Sequence, residues 1–216
     1  MTRLHHPTRA LPLALLLCAC APTSAPPPAA VPPPAPAAGA APGPAAQAPL
    51  ARAQDAAKAF SGALRRQLMA QMADGGPVAA VEFCKVEAPK IAEAMQAEHG
   101  VRLGRVPVSG KLRNPANAPG DWQAEAMAGF EARARAGEPA DTLATLQTQG
   151  LPEGVALRMA RGIKVEPGCL ACHGASVEAP VKAAIARHYP GDTAIGFEVD
   201  ALRGLLWVEV PAVAAP

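Results

Sequence analysis

The chain has 216 residues, and its 20 Lys and Arg against 18 Asp and Glu leave a formal net charge of +2, with the basic side chains scattered and not grouped. That balance excludes an electrostatic nucleic-acid binder. Aromatic residues make up only 3% of the chain while 25 are proline, so a core must be filled by small aliphatic side chains and part of the chain cannot build one.

Residues 1–20 read as an export signal. Arg3 and Arg9 give a positive start, and residues 11–17 form an apolar stretch too short to span a bilayer. The expected location is therefore the periplasm. Leu17, Cys18, Ala19 and Cys20 resemble a bacterial lipoprotein processing site, which makes Cys20 the candidate lipidated residue and the tether to a membrane. Ordinary cleavage among residues 21–25 would instead release a soluble protein. Residues 21–49 are almost entirely Ala and Pro without a charge, which reads as a disordered linker extended at about 3.1 Å per residue. Residues 50–216 are left as a single domain.

Within that domain, Phe60, Leu64, Leu68 and Met72 recur every four residues and predict a helix over 50–72, ended by Asp74, Gly75, Gly76 and Pro77. A second helix over 78–98 carries Val81, Cys84, Ala88, Ile91 and Met95 on one face, and His99 and Gly100 close it. Residues 101–108 read as a strand and 112–120 as a loop. Asp121 looks like the N-cap of a helix with Trp122, Ala126 and Phe130 inward. A strand over 155–165, interrupted at Gly162, precedes a helix over 181–188, a turn at Tyr189 to Asp192, and strands over 193–199 and 205–210. Long leading helices followed by strands indicate an α+β domain with an antiparallel sheet.

Beyond the signal the chain has three cysteines, Cys84, Cys169 and Cys172, an odd number for an oxidising compartment. Cys169, Leu170, Ala171, Cys172 and His173 account for two of them. Two thiols three residues apart on one turn can add to the two vinyl groups of a haem, and the next histidine then lies under the iron. One covalently attached haem c is thus the expected cofactor, held by Cys169 and Cys172 with His173 as proximal axial ligand. A thioredoxin-like redox pair would want an alternating strand-helix-strand pattern, which is not apparent. Zinc could draw on Cys84, Cys169, Cys172 and a histidine, but a second closely spaced ligand pair is missing. Gly168 and Gly174 flank the motif and suit backbone lying close to a flat ligand.

Val81, Glu82, Phe83 and Cys84, then Glu87 to Ala92, Leu112 to Pro119, Cys169 to Gly174, Tyr189 with Pro190, and Arg203 with Gly204 together resemble a family of exported single-haem c-type proteins with a PAS-like fold, best described from a cyanobacterium. The resemblance covers nearly all of residues 53–210. It implies an iron held by histidine on one side and a cysteine sulfur on the other, here His173 and Cys84. Read from the residues alone, Cys84 is a spare thiol on a buried stripe, and an inert buried thiol is a common state. Met95, Met127, Met159, His99 and His188 are the other candidates for the distal position. Asp200 and Ala201 depart from the family's Gly and Asp, and residues 105–113 are longer than usual. No haem-carboxylate contact is therefore assigned to Arg113 or Arg203.

An anionic thiolate ligand lowers an iron potential, whereas methionine raises it. A thiolate bond that loosens on reduction would open the iron to NO or CO, which is the logic of a redox or diatomic-gas sensor. With no fused output domain after Val210, a separate redox or signalling protein is the expected partner. A membrane-tethered periplasmic electron carrier is the alternative. An enzyme would need a distal acid or base, and no distal His and Arg pair at helical spacing is visible.

Overall fold

A computed structural model of the chain describes residues 43–212. The expected export signal, the candidate lipidated Cys20 and most of the Ala/Pro-rich stretch lie outside the described residues. No helix among the described residues is long and apolar enough to cross a membrane.

The first element, α1 (Pro44–His99), is two helices in series, broken at Gly76 with φ 69° and ψ −168°. That backbone region is open essentially to glycine alone. The break falls inside the turn the sequence predicts. The start differs, because helix begins at Pro44 and includes residues 44–49. Proline is tolerated in a first helical turn and alanine has the highest helix propensity, so this part of the Ala/Pro stretch folds.

Four strands follow: β1 (Arg102–Pro107), β2 (Ala144–Gln147), β3 (Val155–Lys164) and β4 (Leu202–Pro211). All three pairings are antiparallel and the order across the sheet is β1-β4-β3-β2. The α+β class with long leading helices is as the sequence indicates. Alternation along β4 sends Leu206, Val208 and Val210 toward α1, where Phe60, Ala88 and Ile91 cover them. Leu205 faces the other way, into a second core with Val106, Leu143 and Ala160 under Met127 and Phe130 of α2 (Asp121–Arg135). Covered on both faces, β4 is apolar almost throughout.

Four local expectations are corrected. Asp121 is the first residue of α2 and Gly120 precedes it with no side-chain cap, so the carboxylate acts on the helix dipole and not as a cap. The strand at Gly162 is continuous, and Gly162 pairs with Leu205. Its bare Cα admits the Ala140 carbonyl, which would stand 2.0 Å from a Cβ, so the glycine serves a chain crossing and not a break. Residues 193–199 form no strand, making one isolated parallel bridge between Gly174 and Phe197, because side-chain and loop contacts take up their backbone groups. Finally, β2 is a strand the sequence does not announce, since an exposed edge strand carries no hydrophobic alternation.

Candidate functional site

The connection from β3 to β4 carries the cysteine motif. A 3-10 turn at Pro167–Cys169 runs directly into α3 (Leu170–His173), which Gly174 ends by donating its N–H to the Leu170 carbonyl at 3.0 Å. A Cβ at Gly174 would meet that carbonyl at 2.8 Å, while Gly168 has open space. Gly174 is thus required by the turn's own backbone, a nearer reason than approach to a flat ligand. Cys84, Cys169 and Cys172 are all free thiols.

Two apolar groups hold this turn from either side. Cys169 and Leu170 pack on Val165, Ala194 and Phe197. Cys172 packs on Val81 of α1 and on Val181 and Ile185 of α4 (Ala179–His188), together with Tyr189. Val81 stands one helical turn before Cys84, so the second half of α1 brings both residues toward the motif. Burial pushes both thiols up, Cys172 is raised further by the nearby charge of Cys84, and Arg105, Arg203 and Arg113 pull Cys84 down.

His173 has a fixed ring. Its Nδ1 lies 2.7 Å from the Ala194 carbonyl, which can only accept, so Nδ1 carries the proton and Nε2 keeps its lone pair. Arg203 Nη2 at 2.7 Å and Arg113 Nη1 at 3.5 Å converge on Nε2. Burial first, then the positive charges of Arg203 and Arg113, push the ring's pKa down to about 2, so it is neutral at any physiological pH. A neutral imidazole with Nδ1 bonded to a carbonyl and Nε2 presented is the form that ligates a metal. Phe197 meets the ring edge-on, with centroids 6.1 Å apart.

The arginines are the part that sequence patterning left unassigned. Arg105 lies opposite Leu206 in the sheet, on the strand face that α1 covers, and Phe60 stands 5.8 Å beneath its guanidinium. Burial lowers its pKa, and lowers that of Arg203 to about 10. Arg113 pairs with Asp192, but the anionic groups felt by Arg105 and Arg203 are thiols and, for Arg105, Tyr189. The Nε of Arg203 is buried with no hydrogen-bond partner among the described residues. A half-buried cation with no carboxylate partner among the described residues is costly, and two of them, Arg105 and Arg203, beside a neutral histidine suit a group carrying acidic substituents. A haem, with an iron and two carboxylates, fits that donor set. The signal in the sequence is an arginine at an inward strand position, between Leu103 and Val106.

The other distal candidates separate. Met127 belongs to the core under α2, on the far side of the sheet from Cys84. His188 is taken by Glu82 at 2.6 Å, and His99 ends α1. Met95 and Met159 share the α1 core with Cys84. Among the described residues no three His, Cys, Asp or Glu side chains gather as a metal cluster, so the zinc alternative lacks its ligand set.

A family model described as "Tll0287-like: Tll0287" matches residues 43–211. Among solved structures, the cyanobacterial heme-protein Tll0287 is 30% identical, covering 60% of this chain and 72% of that one, with a TM-score of 0.47. No curated protein matches the chain.

Proposed function

The chain belongs to the Tll0287-like family, and from that premise we propose that it is an exported protein with one covalently attached haem c that senses redox state or a diatomic gas through His/Cys axial ligation. The observation that carries the reading is His173 itself: neutral, tautomer-fixed, with an Nε2 lone pair that here accepts from Arg203, one residue after the second of two free thiols on a single turn. Cys169 and Cys172 would form the thioethers, and Arg105 and Arg203 would take the two haem carboxylates that their uncompensated charge calls for. Bound haem supplies a one-electron centre and, where a ligand bond is labile, a position for NO or CO.

Cys84 is the residue on which sensing turns. Burial outweighs Arg105, Arg203 and Arg113 and keeps the free thiol neutral, so thiolate at Cys84 would depend on a further positive charge such as a ferric iron. Such a group can hold iron as thiolate in one oxidation state and yield it in the other. The test is electronic and EPR spectroscopy of the full-length exported protein against Cys84→Ala. Sulfur ligation in the ferric parent, lost in the variant, and CO binding to the ferrous parent are expected. A ferric parent spectrum without sulfur ligation would sink the sensor reading.

One observation favours the carrier alternative. Ile195 and Val199, 48% and 43% exposed, flank Phe197, whose N–H bonds the His173 carbonyl. An apolar rim of this kind beside a haem motif suits brief docking of a redox partner. Fast electron exchange with a periplasmic cytochrome, and no CO binding, would decide for it.

A further inference from the structure

Arg113 leaves the loop after β1 and ends in the protein interior, its side chain 12% exposed against 8% for Asp192. The guanidinium forks onto that carboxylate, Nε to Oδ1 at 3.0 Å and Nη2 to Oδ2 at 2.9 Å. Nη2 also donates to the carbonyls of Cys172 at 2.7 Å and Ala194 at 3.2 Å. Asp192 Oδ1 in turn accepts the Ala194 N–H at 2.9 Å. Ala194 is the residue whose carbonyl fixes the His173 ring. One buried ion pair therefore holds both the backbone that precedes the histidine and the backbone that sets its tautomer. The segment is pinned from the same side by Thr193, whose N–H and hydroxyl both donate to the Leu112 carbonyl.

This arrangement does more than position. The Ala194 oxygen divides its lone pairs between His173 Nδ1–H and the Arg113 guanidinium. A carbonyl already bonded to a cation accepts the imidazole proton less strongly, which leaves the ring a poorer electron donor through Nε2. Asp192 limits the effect by neutralising Arg113. We propose that Arg113 and Asp192 are a positioning pair that tunes the donor strength of His173 as a metal ligand, with the two partners acting in opposite directions. The proposal rests on the haem reading above. Arg113 favours the reduced, less positive iron, both through its charge and through the shared carbonyl, whereas Asp192 opposes it.

The test uses the full-length exported protein with haem attached, compared with Arg113→Gln, Asp192→Asn and the double variant. Haem content is read from the alkaline pyridine spectrum, the midpoint potential from a redox titration, and the His173 Nδ1 proton from its NMR shift. Arg113→Gln is expected to lower the potential, Asp192→Asn to raise it, and the double variant to return close to the parent. A purely structural pair would give shifts of the same sign, or none, in variants that keep their haem, and either result overturns the proposal. Where a neutral variant fails to retain haem, Arg113→Lys decides: it keeps the charge but loses the fork, and an unchanged Nδ1 proton shift in it overturns the proposal. Absence of covalent haem from the parent is a different result, which removes the haem reading and this inference with it.

Discussion

In the unfolded chain His173 titrates near its ordinary value of 6.5, whereas the fold holds it neutral down to about pH 2, chiefly by burial and next by Arg203 and Arg113. Above pH 6.5 both states are neutral and the histidine contributes nothing to pH dependence. As the pH falls below that value the unfolded chain binds a proton that the folded chain refuses, so stability drops steadily toward pH 2. For haem-free protein, urea midpoints at pH 7.5, 6.0 and 4.5 are expected to fall, and His173→Gln should fall less over the same range. Equal slopes in the two proteins would show that the ring is not held neutral. On the haem reading, the two thiols also act separately. Cys169→Ser or Cys172→Ser leaves one vinyl group unsaturated, and the alkaline pyridine spectrum should move to longer wavelength while haem stays covalently bound.

Among the elements, the break in α1 matters most to the site. A straight helix through Gly76 would carry the stripe of Phe60 and Leu64 onward in one phase. The non-helical residue resets that phase, and Val81 then packs with Cys172 and α4 while Ala88 and Ile91 return to the sheet. Gly76→Ala forces a side chain into a backbone region worth about 1–3 kcal/mol of strain. Gly162→Ala drives a methyl group against the Ala140 carbonyl and is expected to cost about 1–3 kcal/mol by overpacking. Guanidinium denaturation measures both. The two variants should differ at the site, because Gly162 lies against Ala140 and Leu143 whereas Gly76 sets the path toward Cys84. Haem content should fall in Gly76→Ala and hold in Gly162→Ala. Elsewhere, buried Glu209 accepts from Arg102 and Arg158 at 2.9 Å each and pins β4 between its two neighbours.

For the molecule as a whole, the haem proposal and the proposed export signal depend on each other, because covalent attachment through this motif takes place outside the cytoplasm. A version lacking residues 1–20 is expected to accumulate without covalent haem, as judged by haem staining on a denaturing gel, while the full chain stains. Cys20→Ala should move the protein from the membrane fraction to the soluble one without loss of stain. Haem attached to the cytoplasmic version would break the link between compartment and cofactor. A membrane fraction unchanged by Cys20→Ala would remove the lipid anchor. The family match, residues 43–211, covers nearly all of the described residues and contains each residue that the haem proposal uses.

The sequence by itself determined what is local and periodic. The stripe from Val81 to Met95, the turn at Gly76, the span of β1, the inner part of β4, and the order of Cys169, Cys172 and His173 are set by neighbours within a few positions, where spacing carries the information. It also pointed to Cys84 as the thiol left over on an inward face. Tertiary structure alone decided the rest. Residues 193–199 look like a strand because they are apolar, but their backbone groups are claimed by Leu112, His173 and Gly174, which lie far away along the chain. Edge strand β2 has no burial pattern to read. The cationic pocket was least visible, because Arg105, Arg113 and Arg203 come from separate segments and only the closing of the sheet under α1 sets their guanidinium groups around one imidazole. Charge at a distance has no sequence period, and so the groups that tune the histidine appear only when the chain is folded.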